Sequence, residues 1–308
     1  MKFKEVREEW WLGYDVGRAD ITVFRSSELI RCHIAPYFDD YEIDQIDDIL
    51  INQYIHHELE HGNRLTGGPL CQNTVRKCVQ ILRNIFDYAA IKKHICAENN
   101  PMSLVGRIKM YPTREFSIYS PEEIEALIKV ARPKWLGDMI LLAYRTGIRK
   151  GEGFGLQWED VDFEGKYLHV NRSISAISPH EYFIKEPKTP SSRRYIMLDD
   201  RSLDMLKRRL YNSRSKVWVF ESQYGTELCP WYCVKYFRNA CKNAGIPIRR
   251  FHDLRHTHIT ELISAGVALP VVQRRAGHSD INMTMRYTHI APGMQQIAVD
   301  FLNKRDAG

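Results

Sequence analysis

Four runs of apolar residues at helical spacing, joined by short connections, fill the first hundred positions. Phe3, Val6, Trp10, Trp11 and Tyr14 form the first stripe. Leu29, Ile30, His33, Ile34 and Tyr37 form the second, over Ser26 to Phe38. Ile46, Ile49, Leu50 and Ile55 mark a third run, from about Asp44 to Glu60, which stops at Gly62-Asn63. Val75, Val79, Leu82, Ile85, Phe86 and Ala89 mark the fourth, from about Leu70 to His94. A small four-helix bundle over residues 1–106 is the expected result, closed by Asn99-Asn100-Pro101.

Residues 107–118 are mixed and polar, with Lys109, Pro112 and Arg114, and read as an inter-domain linker. A new helix opens at Ser120-Pro121-Glu122-Glu123: Ser120 is a good N-cap, Pro121 suits the first helical position and Glu123 completes a capping box. After a helix from about Trp135 to Arg145 come three strand-like runs, Lys166–Ser173, Tyr182–Lys185 and Arg194–Leu198, expected to form one small antiparallel sheet. Helical patterning returns near Ser202. The fold class expected is therefore mainly α with a small antiparallel β-sheet, a helical bundle followed by an α+β domain over 119–308. The tail 292–308 carries Met294, Ile297, Val299, Phe301 and Leu302, an apolar helix with little core left to cover.

With 308 residues, the chain can bury two such cores. No run of eighteen apolar residues exists to span a membrane, and the start, Met1-Lys2-Phe3-Lys4-Glu5, lacks the apolar stretch of a secretory signal. A cytoplasmic, nucleoid-associated location is expected. The seven cysteines form no CxxC pair, and their odd number fits a reducing compartment. Cys229, Cys233 and Cys241 match no common zinc spacing and read as free thiols. Net charge is +6. Residues 1–119 hold 15 basic against 17 acidic residues, a balance of −2, and the remainder 29 against 21, or +8. The acidic excess sits largely in Asp39 to Asp48, so a solvated acidic turn beside an otherwise basic surface is expected.

Four separated segments place basic or nucleophilic residues in settings that suit phosphate chemistry. In Thr146-Gly147-Ile148-Arg149-Lys150-Gly151-Glu152, Glu152 lies one helical turn after Arg149 and could hold its guanidinium. In Lys188-Thr189-Pro190-Ser191-Ser192-Arg193-Arg194, between two strand-like runs, Lys188 is either a mobile proton donor or a solvated turn lysine. In His252-Asp253-Leu254-Arg255-His256-Thr257-His258, His252 and Arg255 can address one phosphate from one helix face. That stretch holds no HExxH pattern, and a helical His-Arg pair is an anion site rather than a metal site. The fourth segment runs from Gly277-His278 to Arg286-Tyr287-Thr288-His289. Each segment alone has an ordinary alternative: an ion pair, a turn or a core aromatic.

Taken in order, Arg149, Lys188, His252-x-x-Arg255, Gly277-His278 and Tyr287 resemble the active-site signature of the tyrosine recombinases of the phage integrase family, which includes integrases of phages, conjugative elements and genomic islands. The strings TGIRKGE, HDLRHTH and AGHSDINMTMRYTH carry the resemblance, and His278 precedes Tyr287 by nine residues. Two departures are Ala276 where the family usually has Leu, and Gly153-Phe154 after the glutamate.

The resemblance implies a site-specific recombinase that cuts and rejoins DNA through a 3′-phosphotyrosine at Tyr287. Arg149 and Arg255 would clamp the phosphate oxygens and His278 would add a hydrogen bond. Lys188 would protonate the leaving 5′-oxygen, His252 would accept the tyrosine proton, and Glu152, His256 and His289 would support the pocket. No metal and no other cofactor would be needed. The partners implied are double-stranded attachment-site DNA, further copies in a tetramer coupled through the tail, and accessory DNA-bending or directionality proteins, with no membrane. Charge placement makes Arg76, Lys77, Arg83, Lys109 and Arg114 candidates for DNA contact, with a merely solvated face as the alternative. A relaxing enzyme of the type IB topoisomerase kind and a non-catalytic DNA-binding protein are the competing readings.

Overall fold

The computed structural model describes residues 1–108, 117–186 and 193–288. The chain divides into two compact units, Met1–Arg114 and Glu115–Gly308.

In the first unit, α1 (Phe3–Trp11) turns Phe3, Val6 and Trp10 inward. Next comes one long helical stretch. It starts as α2 (Asp20–Leu29), passes through a π-helical turn (Ile30–Ile34) and ends as α3 (Ala35–Phe38). The second expected helix thus begins six residues earlier than Ser26. Its wide turn lies where Pro36 removes a backbone donor from the ladder. The third helix, α4 (Asp48–His61), starts at Asp48 and not Asp44, because the Asp47 carboxylate caps it by accepting from Leu50 N at 2.8 Å. Within the acidic stretch before it, Asp39 pairs with Arg7 and Ile43–Gln45 forms a 3₁₀ turn. The twenty-residue α5 (Gln72–Ile91) buries Val75, Cys78, Val79, Leu82, Ile85, Phe86 and Ala89 along one stripe. Phe3 joins the elements, its ring centroid 5.6 Å from Phe38 and 5.9 Å from Phe86.

The second unit opens with α6 (Pro121–Val130), whose capping box is formed as the sequence predicts: Ser120 Oγ accepts from Glu123 N and a Glu123 carboxylate oxygen accepts from Ser120 N. α7 (Lys134–Thr146) is buried along most of its length and leads through Gly147 into the short α8 (Lys150–Phe154).

The strands β1 (Val161–Asp162), β2 (Tyr167–Val170), β3 (Ser173–Ala176), β4 (Tyr182–Lys185) and β5 (Arg194–Met197) make two antiparallel sheets, ordered β1-β2-β5 and β3-β4. The single expected strand Lys166–Ser173 is therefore two. It breaks where Asn171 Nδ2 and Arg172 Nη1 both donate to the Asp160 carboxylate at 2.7 Å, so those side chains anchor a corner. In β5, Arg194 and Ile196 face the core while Tyr195 and Met197 face out.

Helices α9 (Asp200–Asn212), α10 (Cys233–Asn243), α11 (Asp253–Ser264), α12 (Leu269–Ala276) and α13 (Ile281–Met285) follow among the described residues. α11 is the central one, buried from Asp253 through Thr260 and packed against α7 and α12.

Candidate active site

The site grows from two glycine turns. Gly147 ends α7 at φ +67°, where an added Cβ would lie 2.6 Å from His258 Cδ2, so both the backbone sign and the space call for glycine. Gly277 ends α12 at φ +68° and packs on the Arg194 side chain, which a Cβ would approach to 3.0 Å. These turns aim three carbonyl oxygens at the guanidinium groups. Arg255 Nη1 donates to Gly147 O and its Nη2 to Ala276 O, each at 2.6 Å, while Arg149 Nη2 donates to Gly277 O at 3.0 Å. Arg149 and Arg255, 106 residues apart in sequence, are thereby held against the same pair of turns.

Glu152 is the anion beneath them. One oxygen accepts from Arg149 Nη1 at 2.7 Å and from Arg194 Nη1 at 3.1 Å; the other accepts from Arg194 Nη2 at 2.8 Å and Arg149 N at 2.9 Å. Burial alone would raise this carboxyl, but the Arg194 hydrogen bonds, with the charges of Arg194 and Arg149, hold it down at about 2. Burial, with Arg149 nearby, pulls Arg255 down to about 9, which still leaves it charged at neutral pH. Three guanidinium groups against one carboxylate leave the pocket floor two charges positive, a setting that attracts a phosphate.

Tyr287, just beyond α13, brings its phenol into this pocket and is 4% exposed. Its Oη lies 2.6 Å from His256 Nδ1. Burial raises the phenol pKa, opposed by the charges of Arg255, Arg286 and Arg149, so the proton stays on oxygen and the phenol donates to His256. Burial and the adjacent His252 bring His256 down to about 4, so its ring is neutral and able to accept. His278 stacks on Tyr287 at 6.2 Å and 15°, with its Nδ1 2.8 Å from Thr284 Oγ1. Burial and Arg255 hold it at about 3.

Arg149, Glu152, Arg255, His256, His278 and Tyr287 are thus gathered around one pocket. His252 stands beside them, its ring edge-on to His256 at 4.7 Å and open to solvent on one side. The tyrosine hydroxyl is bonded to His256, one turn further along α11 than the histidine expected to receive its proton. Lys188, Lys109, Arg114, His289 and the tail 292–308 lie outside the described residues.

Three residues of the site escaped the sequence reading. Arg194 carried a signal: strand alternation puts it on the same face as Ile196, so it had to be buried and paired. Arg275 joins three elements by donating to His258 Nε2, Met197 O and Arg145 O. His258, brought to about 3 by burial and the Arg275 charge, is the neutral acceptor in that set. Nothing in their sequence pattern distinguishes these two from surface residues.

In the first unit, Arg76 and Lys77 are exposed on α5 and line a groove with Asn73, Gln80 and Arg107. Arg83 lines it too, but its guanidinium donates to Met102 O at 2.7 Å and Val105 O at 3.4 Å, which ties α5 to the following turn.

His57-Glu58-Leu59-Glu60-His61 on α4 spells HExxH. Glu58 there is buried and holds His33 Nδ1 at 2.7 Å, whereas His57 and His61 point to solvent. The glutamate that such a motif uses as a base is turned into the core. Among the described residues no group of three or more His, Cys, Asp or Glu side chains is arranged to hold a metal.

Residues 118–294 match the model of the phage integrase family, and residues 2–59 match a phage integrase N-terminal SAM-like domain. A protein named tyrosine recombinase XerC-like from Caldanaerobacter subterraneus is 29% identical over 269 residues, covering 78% of this chain and 68% of that protein. The ICEBs1 integrase of Bacillus subtilis is 26% identical over 291 residues, covering 89% and 75%. Among solved structures, the Tn1549 transposon integrase in complex with a circular intermediate DNA superposes with a TM-score of 0.77 at 21% identity, covering 98% of this chain and 99% of that one. A lambda integrase tetramer bound to a Holliday junction gives 0.72 at 18% identity, covering 91% and 78%. With more than half of its length matched by the family model, and the two-unit fold shared with integrases, the chain belongs to the phage integrase family.

Proposed function

We propose that the protein is a site-specific tyrosine recombinase that cleaves and rejoins DNA through a covalent phosphotyrosine at Tyr287. The observation that carries this reading is the Tyr287 phenol lodged in one pocket with the Arg149 and Arg255 guanidinium groups, bonded to a neutral histidine and covered from water. Tyr287 Oη attacks phosphorus, its proton passes to His256 Nδ1, and the 3′-phosphate becomes esterified to the tyrosine as the 5′-oxygen leaves. Arg149 and Arg255 spread the charge on the non-bridging oxygens and His278 donates a further hydrogen bond. Lys188 supplies the proton to the leaving oxygen. Religation runs the same steps backwards from the 5′-hydroxyl of another strand, so neither a metal nor ATP enters the balance.

The DNA substrate is an attachment site in double-stranded DNA, engaged in the first unit through the groove that carries Arg76, Lys77 and Arg107. Four copies on two sites would complete an exchange, with accessory bending or directionality proteins setting the outcome. A nicked suicide substrate tests the chemistry. Wild type should trap a covalent adduct on a denaturing gel in EDTA, and Tyr287→Phe should trap none. Adduct formation that requires a divalent ion would reject the mechanism.

A further inference from the structure

Arg194 is a buried charged side chain at the pocket that the reaction steps leave without a role. It is 5% exposed and sits at the first position of β5, facing the core. Both of its terminal nitrogens donate to Glu152, and its Nε donates to Arg275 O at 2.8 Å. Its aliphatic stem lies under Gly277, whose carbonyl receives Arg149. One residue therefore meets the carboxylate that holds Arg149 and the turn whose carbonyl holds Arg149. All three Arg194 nitrogens donate within the fold, and unlike Arg255, whose terminal nitrogens go to carbonyls alone, Arg194 spends both of its own on the carboxylate that holds Arg149. Through that carboxylate it bears on where Arg149 points.

We propose that Arg194 is a positioning residue for strand cleavage, acting through Glu152 to fix the Arg149 guanidinium in the orientation that receives the scissile phosphate. Without Arg194, the Arg149 guanidinium would keep one Glu152 oxygen and Gly277 O, and the carboxylate would keep only Arg149 N on its other oxygen. With Arg194 forked across both oxygens, the carboxylate plane is set, and with it the direction of the Arg149 fork. The inference rests on the phosphotyrosine reading above.

The test is single-turnover adduct formation on a nicked suicide substrate by Arg194→Met, Arg194→Lys, Glu152→Gln and the Arg194→Met/Glu152→Gln pair, with DNA affinity measured alongside. Arg194→Met should bind DNA within about threefold of wild type, since it removes no phosphate contact. Its cleavage rate should fall on the order of 10²-fold, as for loss of one aligned donor in a comparable site. Glu152→Gln should fall similarly, and the pair should fall no further than the worse single change, because the two residues act along one line. If Arg194→Met does not fold, Arg194→Lys decides: it keeps the charge but cannot span both oxygens, so it should bind normally and cleave at least about tenfold more slowly. The proposal is overturned if the folded variants cleave at the wild-type rate, lose DNA binding in proportion to cleavage, or show losses that multiply in the pair. No adduct from wild type, or an equal one from Tyr287→Phe, would instead overturn the phosphotyrosine reading itself.

Discussion

Neighbouring guanidinium groups repel one another and the buried Arg194 and Arg255 also lose hydration, so they share a pocket with the half-buried Arg149 only because carbonyls and one carboxylate take up their donors. Gly147 is the hinge of that arrangement. Gly147→Ala would both force a side chain into φ +67° and drive it against His258. A loss of at least about 2 kcal/mol in urea unfolding is expected from the strained backbone and the clash. Equal stability would mean that the turn is less constrained than it looks. The histidines give a pH signature. His256 and His278 titrate near 4 and 3 in the folded chain against about 6.5 when unfolded. The unfolded chain then binds more protons, so their contribution is fully present above about pH 6.5 and is lost as pH falls from there toward 4. Urea midpoints measured from pH 7.5 down to 5 should decline; a flat profile would contradict neutral buried rings. The phenol contact makes its own prediction. His256→Ala should slow adduct formation on the order of 10²-fold, and more than His252→Ala does. The reverse order would return the proton to His252.

Among the elements, those with strong local rules were readable. The α5 stripe and the Ser120–Glu123 capping box follow from spacing and caps, whereas α4 was expected from Asp44, because its Asp47 cap is one of a run of acidic residues that could each serve. Asp47→Ala should cost about 1 kcal/mol of stability, read from the thermal or urea midpoint of the whole chain. No change would mean that water caps α4 equally well. The strand break at Asn171-Arg172 was not legible, because its cause is the distant carboxylate of Asp160. Nor was the inward turn of Arg83, which depends on carbonyls 19 and 22 residues away. That difference separates three residues alike in sequence. Arg76→Ala and Lys77→Ala should each flatten the salt dependence of DNA binding by about 0.9 in log–log slope. Arg83→Ala should instead lower stability and leave the slope nearly unchanged. A slope change for Arg83 alone would place the DNA contact elsewhere.

For the whole molecule, Arg149, Glu152, Arg255, His256, His278 and Tyr287 come from distant stretches of the chain, yet they meet within the second unit. Their order along the chain is what suggests the proposed reaction, because a cleavage site needs a nucleophile, anion clamps and proton carriers whatever surrounds them. What the sequence withheld was the second ring of partners: which histidine meets the phenol, and which arginine steadies Glu152. Those depend on side-chain direction across packed elements, and no spacing rule encodes them. The account depends most on the identity of the nucleophile. Trapping the covalent complex on a nicked attachment site, digesting it with trypsin and sequencing the DNA-linked peptide by mass spectrometry addresses that directly. The linkage should map to Tyr287, the first residue after Arg286, and join it to a 3′-phosphate. A linkage on another residue, or to a 5′-phosphate, would contradict it.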